Sequence, residues 1–222
     1  MQKKIIITGD GSPSLYINQL KETYHSKYGA ITESDHVYIK EGFAHWVSLN
    51  KQKAPRIFEM GLGTGLIAYL SYVFALNHKV FCEYVSVEKY PLSIDEVQSL
   101  RMKDALPDPD HHHFFDQLHE VTWGQNLSKS DFLFKKLEQD FFSVTLDQSF
   151  DIMFYDAFGY HVNSEMWQEK ALQKCYDLLQ YGGVWVSYCA KGSVRRSLEK
   201  IGFTVERLEG PPGKREMLRA IK

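Results

Sequence analysis

The sequence predicts an α/β fold: a doubly wound, mostly parallel sheet that closes with an antiparallel strand, preceded by an N-terminal extension. From about residue 55 onward, β-rich runs alternate with amphipathic helical stretches. Three closely spaced glycines follow the first of these runs, where a buried strand is expected to turn into a helix. Two final β-runs flank the turn-rich segment 210–213, which is typical of an antiparallel hairpin at a sheet edge.

Length and composition predict one main domain. The chain has 222 residues, 44% of them hydrophobic, which is enough for one well-buried domain with an additional element. We expect residues 51–222 to form this domain. Residues 1–50 are expected to form an extension that covers or shapes a ligand site, because they combine a β-run at Ile5-Ile6-Ile7 with Tyr24, Tyr28 and Tyr38.

Cysteine usage and hydropathy predict a soluble, cytoplasmic protein with no membrane partner. Cys82, Cys175 and Cys189 are widely spaced and form no C-x-x-C pattern, so neither a disulfide framework nor a zinc site is expected. No signal peptide is recognisable, and no apolar stretch approaches the roughly 18 residues that span a bilayer. The net charge of −2 argues against a generally basic nucleic-acid binder but allows a local basic patch.

The elements are predicted in order along the chain. A strand over 56–59 leads into the glycines, and a helix with apolar residues at helical spacing follows from Leu66. A strand over 81–88 and a helix from Pro91 to about residue 102 come next. The Pro107-Asp108-Pro109-Asp110 run predicts an irregular insertion, with His111, His112 and His113 in a solvated loop. Adjacent histidines do not converge on one ion, so no metal is expected there.

The second half continues the alternation. A strand over 132–137 precedes a strand over 152–155 that is apolar enough to be central and buried. The remaining elements are a helix over 166–181 stopped by Gly182-Gly183, a strand over 184–190, a helix over 193–201 closed by Gly202, and strands over 203–206 and 216–220.

The glycine segment indicates a binding site for a methyl donor. It reads Phe58-Glu59-Met60-Gly61-Leu62-Gly63-Thr64-Gly65, which differs from the G-x-G-x-x-G spacing of pyrophosphate sites. An acidic residue beside the turn suits a positively charged ligand, such as the amino group and sulfonium of S-adenosylmethionine. We therefore predict that S-adenosylmethionine is bound by Glu59, Gly61, Gly63, Thr64 and Gly65; a strand-to-helix turn without ligand is the alternative.

Three further carboxylates fall at predicted strand ends, where ligands bind in open α/β sheets. Glu88 lies about 20 residues past the glycines and is a candidate ribose ligand. Asp140 either accepts from an adenine amino group or caps a helix. Asp156 ends the central apolar strand and is predicted to be catalytic and to face the cofactor, with a capping or turn role as the alternative.

Basic residues cluster near the C-terminus despite the acidic total. Lys191, Arg195, Arg196, Lys214 and Arg215 are candidates for a phosphate-binding surface, and Arg207 and Arg219 lie in the same stretch. The alternative is a solvated helix face with charges on an edge strand.

Several motifs in order resemble the methyltransferase domain of the MnmC family, whose stand-alone form is called MnmD. Besides the glycine segment these are Tyr155-Asp156-Ala157-Phe158, Glu165-Met166-Trp167, Val194-Arg195-Arg196, the segment 213–218 and the N-terminal segments 24–30 and 33–39. The chain departs from the family pattern at Ile67, where asparagine is frequent, and at Gly159-Tyr160, where a proline is frequent.

This resemblance implies a class I, Rossmann-like methyltransferase that uses S-adenosylmethionine. Its tRNA substrate would carry 5-aminomethyl-2-thiouridine at the wobble position, which would be converted to 5-methylaminomethyl-2-thiouridine. In the bifunctional family members a flavin-dependent oxidase domain makes the aminomethyl substrate. The sequence ends soon after Met217-Leu218, so no flavin domain is expected in it.

The resemblance also gives Asp156 a task, which is to hold and orient the substrate amine while the amine loses its proton. Two other hypotheses remain open. One is a class I methyltransferase acting on a small-molecule amine or another RNA. The other is a non-catalytic adenosine-binding or RNA-binding module, which would keep Glu59, Gly61 and Glu88 but would not need Asp156.

Overall fold

A computed structural model describes residues 2–51 and 53–222. The strands form two sheets. The small sheet contains β1 (Lys3–Ile7), β2 (Pro13–Ile17) and β3 (Glu22–Thr23). The large sheet contains β4 (Arg56–Met60), β5 (Cys82–Glu88), β6 (Asn126–Lys129), β7 (Phe132–Glu138), β8 (Phe150–Tyr155), β9 (Leu179–Ser187), β10 (Thr204–Glu209) and β11 (Glu216–Ile221).

The large sheet has the order β10-β11-β9-β8-β4-β5-β7-β6. Its five central strands, β9, β8, β4, β5 and β7, run parallel to one another. The hairpin of β10 and β11 adds antiparallel to β9, which confirms the predicted mostly parallel sheet with an antiparallel C-terminal strand. At the opposite edge β6 pairs antiparallel with β7, a strand that the sequence did not predict.

Helices cover both faces of this sheet. They are α1 (Ala30–Ser34), a π-helical segment (Asp35–Ala44), α2 (His45–Leu49), α3 (Leu66–His78), α4 (Ile94–Leu100), α5 (His112–Glu120), α6 (Glu169–Leu178) and α7 (Gly192–Ile201). One apolar core contains residues of the π-helical segment, α3, α4 and α5, and the other contains residues of α6 and α7. Burial on both faces explains why the central strands are continuous apolar runs.

The N-terminal extension contributes to the core itself. The π-helical segment packs on the sheet with Val37 and Phe43 fully buried. Gly42 lies so close to β8 and β9 that a Cβ at this position would come within 2.9 Å of the Phe154 ring and 3.0 Å of Val186. This close packing directs the side chains of residues 33 and 38 toward the carboxyl ends of the central strands, where both line a cavity.

Two predictions about local structure are wrong. His111, His112 and His113 do not lie in a solvated loop; they close a 3-10 turn and begin α5, because Phe114, Phe115 and Leu118 bury the apolar face of that helix. Likewise, the helix predicted over 166–181 is a 3-10 turn (Ser164–Trp167) followed by α6, which ends at residue 178. Strand β9 starts at residue 179 and passes through both glycines, and its pairing with β8 is irregular there.

No helix in the described parts of the chain is long and apolar enough to cross a membrane. Within residues 2–51 and 53–222, no cluster of three or more His, Cys, Asp or Glu side chains has an arrangement suited to a metal ion.

Candidate active site

A cavity of about 1080 Å³ opens at the carboxyl ends of the parallel strands. Its wall combines the glycine turn after β4, the ends of β5, β7 and β8, the segment that follows β3, and the loop between β10 and β11. Six of the eight predicted cofactor residues line it, namely Gly61, Gly63, Thr64, Glu88, Asp140 and Asp156. The chain therefore brings these distant positions together in one place, where ligands bind in open α/β sheets.

The glycine turn passes tightly beneath the segment that follows β8. Gly61, Gly63 and Gly65 all have positive φ, which other residues rarely adopt. A Cβ on Gly61 would lie 2.8 Å from the carbonyl oxygen of Asp156, and one on Gly63 would lie 3.4 Å from the Tyr24 ring. The turn thus leaves bare backbone at the cavity floor.

Glu88 and Asp140 are both held in fixed orientations. The Glu88 carboxylate accepts from the backbone N–H of Gly63 at 3.1 Å and from that of Tyr90 at 2.8 Å. Asp140 caps a 3-10 turn by accepting from the Phe142 N–H at 2.8 Å, and its second oxygen lies 2.6 Å from Lys89 Nζ. The capping role predicted as an alternative for Asp140 is therefore present, and the residue also lines the cavity.

Asp156 stands immediately after the central strand β8. Its Oδ1 accepts a hydrogen bond of 2.6 Å from the Tyr38 hydroxyl, which comes from the buried π-helical segment. Burial raises the pKa of Asp156 to about 7; the Tyr38 hydrogen bond lowers it, the Glu33 charge raises it and Lys214 lowers it. A carboxyl group with this pKa changes charge near neutral pH, a property of many catalytic acids and bases.

An ion pair crosses the cavity wall beside Asp156. Lys214 Nζ, from the loop between β10 and β11, lies 2.5 Å from Glu33 Oε1 and 3.7 Å from the centre of the Tyr188 ring. The other oxygen of Glu33 accepts from the Ser26 N–H at 2.8 Å. This pair joins the N-terminal extension to the C-terminal hairpin, and sequence reasoning missed it because 181 residues separate its members.

Two half-buried histidines contact the glycine turn, and one of them, His25, also lines the cavity. His25 Nε2 lies 3.2 Å from Thr64 Oγ1, and His119 Nε2 lies 3.1 Å from the Thr64 carbonyl oxygen. Burial lowers the pKa of each imidazole to about 4, so both are neutral at pH 7. The extension and α5 thus hold the turn from two sides.

Glu59 and Gly65 do not line the cavity. Glu59 is fully buried and accepts from the Ser86 hydroxyl at 2.6 Å, and burial raises its pKa well above the usual value. Its Oε1 has no hydrogen-bond partner among the described residues. Gly65 packs against α5, since a Cβ there would lie 2.7 Å from Leu118. Direct contact of either residue with a cofactor stays a prediction without support from this geometry.

The predicted phosphate-binding residues divide into two groups. Lys214 pairs with Glu33, and Arg195 pairs with Glu199 at 2.6 Å, so both are engaged within the protein. Three exposed residues, Lys191, Arg196 and Arg215, have no carboxylate within ion-pair distance in the described parts of the chain. Arg207 and Arg219, from the same stretch, pair with glutamates.

The cavity fits a cationic nucleoside such as S-adenosylmethionine. Its volume exceeds what one such ligand needs, which leaves room for a second molecule. Carboxylates outnumber ammonium groups on its wall: the acids are Glu22, Glu33, Glu88, Glu138, Asp140, Asp156 and Glu165, and the lysines are Lys3, Lys27, Lys89 and Lys214. A bound donor would supply an electrophilic methyl group; Gly61, Gly63, Glu88 and Asp140 are the residues that would hold it.

Comparisons with known proteins relate the chain to methyltransferases. Residues 115–222 match a family profile described as S-adenosyl-L-methionine-dependent methyltransferase. The chain is 30% identical over 226 aligned positions to the tRNA 5-methylaminomethyl-2-thiouridine biosynthesis bifunctional protein MnmC of Marinomonas sp., covering 94% of this chain and 32% of that protein. A protein of the same name from Leptospira borgpetersenii is 28% identical, covering 90% of this chain and 32% of its own length.

The fold matches a solved structure over almost the whole chain. The crystal structure of MNMC2 from Aquifex aeolicus superposes with a TM-score of 0.81 at 27% identity, covering 99% of this chain and 70% of that one. By contrast, the chain spans about a third of the length of the bifunctional relatives that it resembles.

Proposed function

We propose that this chain, a methyltransferase domain similar to that of MnmC, methylates the 5-aminomethyl group of a wobble uridine in tRNA. The reaction would convert 5-aminomethyl-2-thiouridine to 5-methylaminomethyl-2-thiouridine. The observation that carries the proposal is Asp156, which lines an acidic cavity beside the glycine turn. The names of the relatives supply the substrate class.

The electrostatics of the cavity favour an amine substrate. An alkylamine is mostly protonated at neutral pH, and the carboxylates on the wall attract its ammonium form. The nitrogen must lose a proton before its lone pair can attack a methyl carbon. Asp156 is placed to accept a hydrogen bond from this amine through Oδ2, because Tyr38 occupies Oδ1. With its pKa near 7, the carboxyl group can also take up the proton and pass it to water.

We also propose that exposed basic residues bind the tRNA substrate. Lys191, Arg196 and Arg215 are exposed near the cavity mouth or on α7 and would contact RNA phosphates. Lys214 and Arg195, which are paired with glutamates, would contribute less unless those pairs exchange. The cytoplasm is the compartment that suits a tRNA substrate and three free cysteines.

Methyl transfer to different acceptors tests the proposal. We expect transfer of a labelled methyl group to tRNA whose wobble uridine carries an unmethylated 5-aminomethyl group, but not to free alkylamines. The KM for tRNA should rise steeply with salt concentration. The matched control is the Asp156→Asn variant, which should bind S-adenosylmethionine and tRNA but lose at least a hundredfold in turnover. Equal or greater activity on small amines, without salt dependence, would replace the tRNA assignment with a small-molecule methyltransferase. Full turnover by Asp156→Asn would overturn the role of Asp156.

A further inference from the structure

A second pocket adjoins the mouth of the main cavity. It has a volume of about 440 Å³ and is lined by Tyr160, Tyr188, Cys189, Ala190, Lys191, Lys214, Arg215 and Glu216. We call it the side pocket. Tyr188 and Lys214 line both spaces and form the wall between them. A ligand that fills the main cavity and extends beyond its mouth would therefore enter the side pocket next.

The side pocket presents an aromatic surface with a cation against it. The Tyr160 side chain is 37% exposed, so part of its ring is accessible to a ligand. Lys191 Nζ lies 3.4 Å from the centre of this ring. Aromatic rings flanked by cationic side chains are the surfaces on which proteins stack single-stranded nucleobases, because every base has a π-face and a phosphate beside it.

The charges of the two spaces are opposite in sign. The main cavity is rich in carboxylates, whereas the side pocket has Lys191, Lys214 and Arg215 against one carboxylate, Glu216. Glu216 itself lies 3.7 Å from Arg207. A phosphodiester would be repelled by the carboxylates of the main cavity and attracted to the side pocket. A cationic aminomethyl nucleoside has the opposite preference.

We propose that the side pocket binds the nucleotide that adjoins the methylated uridine: its base stacks on Tyr160 in place of the Lys191 ammonium, and Lys191 turns from the ring to hold the phosphate together with Arg215. This inference rests on the proposed function, since it assumes a polynucleotide substrate. It assigns Tyr160 to substrate binding and not to methyl transfer.

The test compares variants on anticodon stem-loop RNAs that carry 5-aminomethyluridine. Tyr160→Ala is expected to raise KM about tenfold or more, with kcat changed less than twofold, because the stacked base is lost while the reacting groups are untouched. Tyr160→Phe should retain most of the affinity. Tyr181→Ala is the matched control, because Tyr181 is 86% exposed and lines neither space.

An abasic nucleotide placed on either side of the target uridine shows whether Tyr160 and that base act together. Removing the stacked base from the RNA should weaken binding by the wild-type protein about as much as Tyr160→Ala weakens binding of the intact RNA. The Tyr160→Ala protein should bind the abasic RNA no more weakly than it binds the intact RNA. Lys191→Ala and Arg215→Ala should each reduce the salt dependence of binding by about one counterion.

The outcomes distinguish a failure of the proposed function from a failure of the side-pocket assignment. If the wild-type protein methylates no stem-loop, the proposed function fails and the side-pocket assignment fails with it. If the wild-type protein methylates the stem-loop but Tyr160→Ala behaves like Tyr181→Ala, the side-pocket assignment alone is wrong. Additive losses from Tyr160→Ala and from both abasic RNAs would also overturn it, because independent effects mean that the ring and the base do not touch.

Discussion

The hydroxyl of Tyr38 donates a hydrogen bond of 2.6 Å to Oδ1 of Asp156. The two residues are 118 positions apart in the chain, and the ring of Tyr38 is 1% exposed. The bond fixes one oxygen of the carboxylate and leaves the other to the cavity. It also opposes the effect of burial on the Asp156 pKa, since a donated hydrogen bond stabilises the charged form.

Tyr38→Phe is predicted to move the pH dependence of methyl transfer. Removing the donor raises the pKa of Asp156, so the carboxylate forms only at higher pH and the acid limb of the kcat/KM profile shifts upward by about one pH unit. At pH 7 kcat/KM should fall about fivefold, and at pH 9 it should return almost to the wild-type value. Tyr69→Phe is the control, because Tyr69 is equally buried but donates to the Pro107 carbonyl oxygen. An unshifted profile in Tyr38→Phe would show that the hydroxyl has only a structural role.

Asp156→Asn is predicted to change how stability depends on pH. The pKa of Asp156 is about 7 in the folded protein and near 3.8 when unperturbed. Between these two pKa values the folded state retains a proton that the unfolded state has lost. The free energy of unfolding therefore falls as pH rises through this range, and it stops falling above about pH 7. The variant lacks this titration. Its free energy of unfolding minus that of the wild type should therefore increase from pH 4 to pH 7 and then level off.

Denaturant unfolding at several pH values measures that difference. Asp110→Asn, at an exposed aspartate, is the control and should give a flat difference. A flat difference for Asp156→Asn as well would mean that the Asp156 pKa is not raised by folding.

Gly61→Ala is predicted to damage the cofactor site. The added Cβ would lie 2.8 Å from the Asp156 carbonyl oxygen, and Gly61 has φ of +97°. Backbone strain and a backbone clash then act together, so the turn must open and the affinity for S-adenosylmethionine should fall at least tenfold. Gly124→Ala is the control, because Gly124 has a similar φ of +83° but does not line the cavity and has no atom within 4 Å of the added Cβ. Calorimetric titration of both variants checks the expectation, and equal affinities would contradict it.

Lys214→Met is predicted to destabilise the protein by leaving Glu33 without its cation. Glu33 is 7% exposed, so an unpaired charge is costly there; because Lys214 is partly exposed, we expect about 1–3 kcal/mol. The double variant Glu33→Gln with Lys214→Met should recover much of this loss. Lys200→Met removes the solvent-exposed pair with Glu169 and should cost less than about 1 kcal/mol. Similar losses in Lys214→Met and Lys200→Met would show that the Glu33–Lys214 pair does not stabilise the site.

Much of the parallel sheet was predictable because its signals are local. The apolar runs ending at Glu88 and Asp156 are strands in the structure, and the glycines after Glu59 form the turn that the spacing predicted. Position at a strand end was enough to bring Glu88, Asp140 and Asp156 to one cavity, since the carboxyl ends of parallel strands lie at one edge of the sheet.

What could not be predicted depends on contacts distant in sequence. Nothing near Tyr38 or Glu33 in the chain signals a partner at position 156 or 214, because these contacts form only when the extension packs on the sheet. The direction of the Glu59 side chain was also hidden, since strand alternation allows either face and the buried Ser86 hydroxyl supplies its partner. Residues 179–181 were predicted as helix because Gly182 and Gly183 were expected to end that helix before the next strand. In the structure both glycines lie inside strand β9.

The identity of the methylated nucleoside tests the central claim most directly. Purified protein would be incubated with methyl-labelled S-adenosylmethionine and tRNA from cells that lack it, and the tRNA would then be digested and its nucleosides separated by mass. We predict label in 5-methylaminomethyl-uridine, with or without the 2-thio group, and labelling at least a hundredfold slower with Asp156→Asn. Label in a different nucleoside, or no label in tRNA despite tight binding of S-adenosylmethionine, would contradict the account.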